Sequence, residues 1–348
     1  MLAYDALRFI AASGIVFHHT NSFLYPAAQR MEMKEPSFGL ALLVDLFFLI
    51  SGYVIAFVYG AKIESLRDYI TFLQKRVARL WPLHIVTLIV FSAFYFAAVA
   101  AGVKVGTMPD LSASCLARTA FMLHAIIPCQ GVSVNPVSWS ISAEMAMYAI
   151  FPLLYVALAR NKWTAVAGIV IAAASLATLS WSLSAHEWTQ SIPFLRALPS
   201  FTFGICLYRI MSEQAGPATP YRSVMLIVLL ALVLVMFYLM LDGGSALTVL
   251  ASICAACTLA AYIDRKATTN AVMRVAAGMG RLTYSIYMIH LLLVTTLVNV
   301  VADKILKLSA WPMGFVIGFT YLLVVFLSLA TYSWIEMPLR RTLSPRSK

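Results

Sequence analysis

The feature that most constrains this chain is the recurrence of apolar runs about twenty residues long, separated by polar joints. Ten can be marked, near 6–24, 39–60, 77–102, 138–158, 163–184, 192–211, 222–241, 246–263, 281–302 and 312–334. Backbone amides in hydrocarbon must bond within their own segment, so runs of this length fold as membrane-spanning helices. A membrane barrel would need apolar residues at every second position, and these runs lack that alternation. The expectation is an all-α, polytopic membrane helical bundle of about ten transmembrane helices. Composition agrees: 11% of residues are charged and mean hydropathy is +0.87, against roughly 25% charged in soluble domains. One membrane domain, 1–340, and a short basic tail, 341–348, account for the sequence.

The net charge of +11 does not call for a nucleic-acid partner. Membrane proteins concentrate Lys and Arg in cytoplasmic loops. An even number of spans puts both termini on one side. If that side is the cytoplasm, Arg8, Lys62, Arg67, Lys75, Arg76, Arg79, Arg160, Lys162, Arg209, Arg222, Arg265, Lys266, Arg274, Arg281, Arg340, Arg341, Arg346 and Lys348 are inside, 18 of the 25 basic residues. Arg30, Lys34, Lys104, Arg118, Arg196, Lys304 and Lys307 are the other seven. The first run carries Asp5 and Arg8 and lacks a small-residue cleavage site, so it is expected to stay as a span.

The longest outer segment, 103–137, contains Pro109, Pro128, Gly131 and Pro136. Its apolar part, Leu116–Ile127, is too short to span and is expected to be re-entrant or interfacial. Cys115 and Cys129 both fall here and could pair if the loop faces an oxidising periplasm. Cys254 and Cys257 sit in an apolar run without a partnering His or Cys, so no metal site is expected.

Ionisable groups inside spans cost a few kcal/mol each on insertion scales, so each needs a reason. Arg8 and His19 are eleven residues apart, hence nearly on one helical stripe and about 16 Å apart along the axis. His18 lies about 80° from that stripe. Asp45 is either at the outer interface or inside the bundle orienting a polar partner; Ser51-Gly52 reads as close helix packing. Arg76 and Arg79, three apart, either anchor the inner face or join Arg8 in a phosphate-binding cluster. His84 reads as a packing residue. In Asn135–Glu144, Ser138 or Ser140 could cap a helix, but Glu144 lies beyond capping distance and reads as functional. Tyr287 and His290 share one helical side, and Glu336 reads as a surface partner of Arg340.

Taken in order, Arg8…His19, Asp45–Tyr53, Arg76-x-x-Arg79-x-x-Pro82, Trp139-Ser140-x-x-x-Glu144, Gly280–His290 and Glu336-x-Pro338 resemble the motifs of the acyltransferase 3 family over essentially the whole chain. The resemblance implies an enzyme of the bacterial cytoplasmic (inner) membrane that transfers an acyl group, often acetyl, from acyl-coenzyme A. Acyl-CoA would be a co-substrate, with no tightly bound cofactor and no metal. The acceptor would be a hydroxyl of a surface or secreted glycan or a glycolipid.

Arg8, Arg76 and Arg79 are then expected to hold the coenzyme A phosphates. The pantetheine arm would run along the first span to His19, the general base. Glu144 would orient His19 or bind acceptor hydroxyls, with Asp45, Trp139, Ser142, Tyr287 and His290 binding substrate or supporting the site. An acyl-histidine intermediate stays open. The alternative from another class is a transporter or flippase of a glycan or lipid, although no inverted repeat or paired broken span is evident.

Overall fold

The computed structural model describes residues 1–25, 38–102, 108–182, 193–212, 222–266, 275 and 278–345. Their regular structure is helical, with no strand among the described residues: α1 Leu2–His18, α2 Leu43–Tyr59, α3 Leu66–Ala100, α4 Ala113–Ala120, α5 Trp139–Leu158, α6 Lys162–Ser182, α7 Pro193–Ser212, α8 Arg222–Leu241, α9 Ala246–Lys266, α10 Thr283–Leu293, α11 Ala310–Thr331 and α12 Met337–Leu343. A π-helical stretch, Val294–Ile305, prolongs α10, and a second, Tyr332–Glu336, joins α11 to α12. Arg30, Lys34, Lys104, Arg274, Arg346 and Lys348 lie outside the described residues, as do the side chains of Arg222 and Lys266.

Eight segments are long and apolar enough to cross a membrane. The two other expected positions are held by α1, with 17 residues, and by α7, which carries Arg196 and Arg209. Exposed tryptophans mark the two interfaces. Trp163 and Trp181 stand at opposite ends of α6; Trp311 and Trp334 do the same along α11 and its π turn, and all four are strongly exposed. At ~1.5 Å per residue these pairs are about 27 Å and 34 Å apart, close to the ~30 Å hydrocarbon thickness.

The third helix differs from its expected span. It starts at Leu66, not near 77, because Ser65 and Asp68 form a capping box. Arg76 and Arg79 are therefore interior helical residues rather than the opening of a span. Near the other end of the described residues, α12 runs from Met337 to Leu343.

Two contacts place α1. Met1 offers no side-chain cap; instead the Ala3 and Tyr4 amides donate to the Asp264 carboxylate of α9, at 2.9 and 3.2 Å. These are orphan amides of a helix start, satisfied here from a distant helix. A Cβ on Gly280 would come within 2.7 Å of the Asp5 carbonyl, so the chain entering α10 lies directly on the first turn of α1. Helices α2 and α7 approach most closely: a Cβ on Gly52 would lie 2.1 Å from the Phe201 carbonyl, and one on Gly204 2.0 Å from that of Leu49. The expected close packing at Gly52 is thus present, and only glycine permits it.

The outer loop is a built structure. Cys115 and Cys129 are disulfide-bonded. The Ser142 hydroxyl donates to the Met122 carbonyl at 2.6 Å and accepts from the Ala125 amide at 2.9 Å, which fastens the loop to α5. His84 Nε2 donates to the Thr119 carbonyl at 2.7 Å from the α3 side. The apolar stretch after α4 therefore lies folded on the helix ends without spanning.

Candidate active site

One cavity, partly open to its surroundings, lies between α1, α2, α3, α5 and α10. Arg8, Arg79 and Arg281 line it together with Gly280; Val44, Phe47, Phe48, Leu80 and Ile141 give it apolar walls; Ser140, Glu144, Thr283, Tyr284 and Tyr287 complete it. Arg8 is held weakly, its guanidinium 3.7 Å from Asp5 one turn earlier. Glu144 lies within electrostatic range of both Arg8 and Arg79.

Glu144 is fixed by two hydroxyls. Ser51 Oγ donates to Oε1 at 2.7 Å, and Tyr148, one turn along α5, donates to the same oxygen. Ser51 and Tyr148 are also 2.9 Å apart, so the three groups form a closed triangle. Glu144 sits well inside α5, as its spacing suggested. Ser138 is the residue before the helix but makes no side-chain cap, because its hydroxyl donates to the Asn135 carbonyl.

Tyr287 closes the far end of the cavity. Ser140 Oγ donates to its hydroxyl at 2.8 Å, which in turn donates to the Val137 carbonyl at 3.1 Å. One turn beyond on α10 is His290, whose ring centre is 5.9 Å from that of Tyr287. His290 Nδ1 is 2.7 Å from the Tyr287 carbonyl. A carbonyl only accepts, so Nδ1 carries the proton and Nε2 presents a lone pair. Nε2 is buried and has no hydrogen-bond partner among the described residues. The His19 ring centre is 5.2 Å from that of His290, with His18 4.8 Å from His19. His19 follows the last residue of α1 in a helical conformation, so the stripe shared with Arg8 holds to the end. The structure thus brings His19 and His290 together, one helical turn past the cavity.

The remaining expected residues are placed differently. Arg76 does not join Arg8 and Arg79 at the cavity. Its guanidinium lies among the rings of Tyr59, Phe72 and Tyr148, at 5.1, 5.9 and 5.8 Å, and Nη2 donates to Tyr59 OH at 2.9 Å. Asp45 is fully buried inside the bundle, not at an interface. Arg196 Nε and Nη2 donate to its Oδ2 at 3.1 and 2.8 Å, and Ser200 donates to Oδ1 at 3.2 Å. Trp139 stacks on that pair, its ring centre 5.0 Å from the guanidinium. Ser142 has both its bonds committed to the outer loop. Glu336 is not a surface partner of Arg340: the π turn aims it inward, where it is buried and accepts from Ser285 on α10 at 3.2 Å.

Sequence reasoning missed Arg196, Arg281, Ser51 and Tyr148 as site groups. Arg196 had a usable signal, an arginine inside an apolar run, which needs an intramembrane anion such as Asp45. Tyr148 follows Glu144 at i+4, the spacing at which helical side chains meet. Nothing local in the sequence pairs Ser51 with Glu144.

The family model described as an acyltransferase domain, Acyl_transf_3, matches residues 1–332. The chain is 29% identical over 186 residues to Acyltransferase MdmB of Streptomyces mycarofaciens, an alignment covering 48% of this chain and 43% of that protein. It is 36% identical over 92 residues to Protein 2 in picA locus of Rhizobium radiobacter, covering 26% of this chain and 44% of that one. Each alignment thus spans less than half of the relative. No solved structure matches the chain significantly.

Proposed function

Because the chain belongs to the acyltransferase 3 family, we propose that it is a membrane O-acyltransferase. It moves an acyl group, acetyl foremost, from acyl-CoA at the Arg8 end to a glycan or glycolipid hydroxyl at the His19 end. The observation that carries this reading is the course of the cavity. It starts among three arginines, runs between apolar walls, and stops one helical turn short of two histidines. Arg8, Arg79 and Arg281 suit coenzyme A phosphates, which guanidinium groups bind through paired hydrogen bonds. The apolar walls suit the pantetheine arm, and about 16 Å of helical rise separates Arg8 from His19.

In this mechanism His19 takes the proton of the acceptor hydroxyl as its oxygen attacks the thioester carbonyl. The tetrahedral intermediate collapses, the carbon–sulfur bond breaks, and the His19 imidazolium returns its proton to the departing thiolate. His290 Nε2, a lone pair without a hydrogen-bond partner among the described residues, stabilises the charged His19. Glu144, held by Ser51 and Tyr148, fixes the negative side of the field around Arg8 and Arg79. Acyl-CoA is a co-substrate, and free coenzyme A leaves after each cycle. The Arg8 end faces the cytoplasm of a bacterial inner membrane; the disulfide supports this orientation, since such bonds persist on the oxidising side.

Purified protein incubated with radiolabelled acetyl-CoA tests the reading. Binding, with transfer or slow hydrolysis of the acetyl group, is expected; a transporter or flippase would leave acetyl-CoA unbound and intact.

A further inference from the structure

A partly open groove follows the seam where α3 and α10 meet α11 and its π turn. Leu83, Thr87 and Ile289 are buried and form its floor; exposed Val90 and strongly exposed Trp334 stand at its two ends. From Leu83 to Val90 the helical rise is about 10 Å, roughly a third of the hydrocarbon thickness. The Trp334 end lies on the same membrane face as Arg8. Glu336, two residues on, accepts from Ser285 near the start of α10, and Gly280 just before that helix rests on the first turn of α1. Trp334 therefore marks the interface at which the groove begins, and the groove rises from there toward mid-membrane.

The lining selects the chemistry of what fills it. Its two hydroxyls are spent on their own helices: Thr87 donates to the His84 carbonyl at 3.0 Å, and Thr331 to the Ser328 carbonyl at 3.2 Å. The remaining lining side chains are aliphatic, apart from the Trp334 indole. A polar ligand would forfeit its hydrogen bonds here, whereas a hydrocarbon chain has none to lose. Charge waits at the mouth. Arg341 follows Trp334 by seven residues, two turns farther along the same side of the helix. It is exposed and makes no ion pair among the described residues. Arg340, by contrast, lies within electrostatic range of Arg79 and Arg76. An apolar slot below an interfacial tryptophan and a spare arginine fits an anionic lipid. A second copy packed on this face would set like charges together.

We propose that this groove is a specific lipid site, holding one acyl chain of an anionic phospholipid from the leaflet on the Arg8 side, with the lipid phosphate against Arg341. The chain supplies dispersion contacts that an unfilled recess forfeits. It does so along the π turn that aims Glu336 inward, and along the turn of α10 where Ile289 precedes His290. The site stands independently of the acyl-transfer reading.

Detergent-purified protein titrated with palmitoyl-oleoyl phosphatidylglycerol, or with the phosphatidylcholine of the same chains, tests it. Native mass spectrometry reads the bound lipid, and far-ultraviolet circular dichroism gives the melting temperature of each variant. Wild-type protein should retain a single phosphatidylglycerol, and more tightly than phosphatidylcholine. Arg341→Gln should weaken phosphatidylglycerol about fivefold, the effect of one basic residue at a membrane surface, and leave phosphatidylcholine unchanged. Ala330→Phe, which fills the groove from the α11 side, should weaken both lipids about tenfold or more. Val90→Trp, at the exposed end, does the same without touching the packed interior and decides the matter if Ala330→Phe does not fold. No retained lipid in wild-type protein, equal retention of the two headgroups, or unchanged retention in a folded groove variant would overturn the site. A protein dimer in place of the lipid adduct would overturn it too, and would give the groove to a second copy.

Discussion

Removing Arg196 should be among the most damaging single changes in this bundle. Its guanidinium makes three bonds: two to Asp45 Oδ2, at 3.1 and 2.8 Å, and one to the Ala41 carbonyl at 2.8 Å. At the 2.8 Å approach and an effective dielectric near 20, the attraction is about 6 kcal/mol before desolvation is subtracted. Arg196→Leu leaves Asp45, fully buried, with the Ser200 hydroxyl as its remaining side-chain donor. Breaking one half of a buried pair costs about 3–5 kcal/mol, because the other charge stays behind. Replacing both partners by apolar groups is often nearly neutral. Asp45→Leu combined with Arg196→Met should therefore cost less than either single change, with a coupling of at least about 2 kcal/mol. Reversible unfolding of purified protein in mixed micelles, followed by far-ultraviolet circular dichroism, would give the four stabilities. Additive effects, or single variants as stable as wild type, would refute the claim that this pair is a coupled, desolvated ion pair.

Two other outcomes follow from the geometry. In Glu144→Ala, Ser51 and Tyr148 remain 2.9 Å apart and can bond each other, so the fold should persist while transfer falls about 10²-fold or more; turnover alongside a melting curve checks this. Burial, and then the neighbouring His84, push the His124 imidazole down to about 4. A folded-state value below the unfolded one, near 6.5, means that the unfolded loop binds the extra proton. The stability this confers is complete above pH ~6.5 and is lost as pH falls toward ~4. Protease resistance of the outer loop should decline across that window, and His124→Gln should flatten the decline.

The fold was legible because the hydrocarbon core admits so few backbone solutions. Run length marked where the long apolar helices lie, although eight described segments qualify as spans against ten expected and α3 begins eleven residues early. The site was legible where one helix carries both partners. Arg8 and His19 share a stripe of α1, and Tyr287 and His290 share a turn of α10. It was not legible where partners come from distant segments. Asp45 with Arg196, Ser51 with Glu144 and Ser285 with Glu336 are separated by 151, 93 and 51 residues, so no local spacing connects them. Arg76 misled for a related reason. Spacing put it beside Arg79, but three aromatic rings from α2, α3 and α5 hold its guanidinium elsewhere.

In the proposed reaction, donor binding and acyl transfer occupy opposite ends of one track, with the chemistry at His19. The most direct measurement compares wild-type protein and His19→Ala in a single turnover with labelled acetyl-CoA and a saturating acceptor, after acetyl-CoA affinity has been measured for both. Equal affinity for acetyl-CoA is expected, with a loss of transfer of at least about 10²-fold in the variant. Transfer within a few-fold of wild type would contradict it.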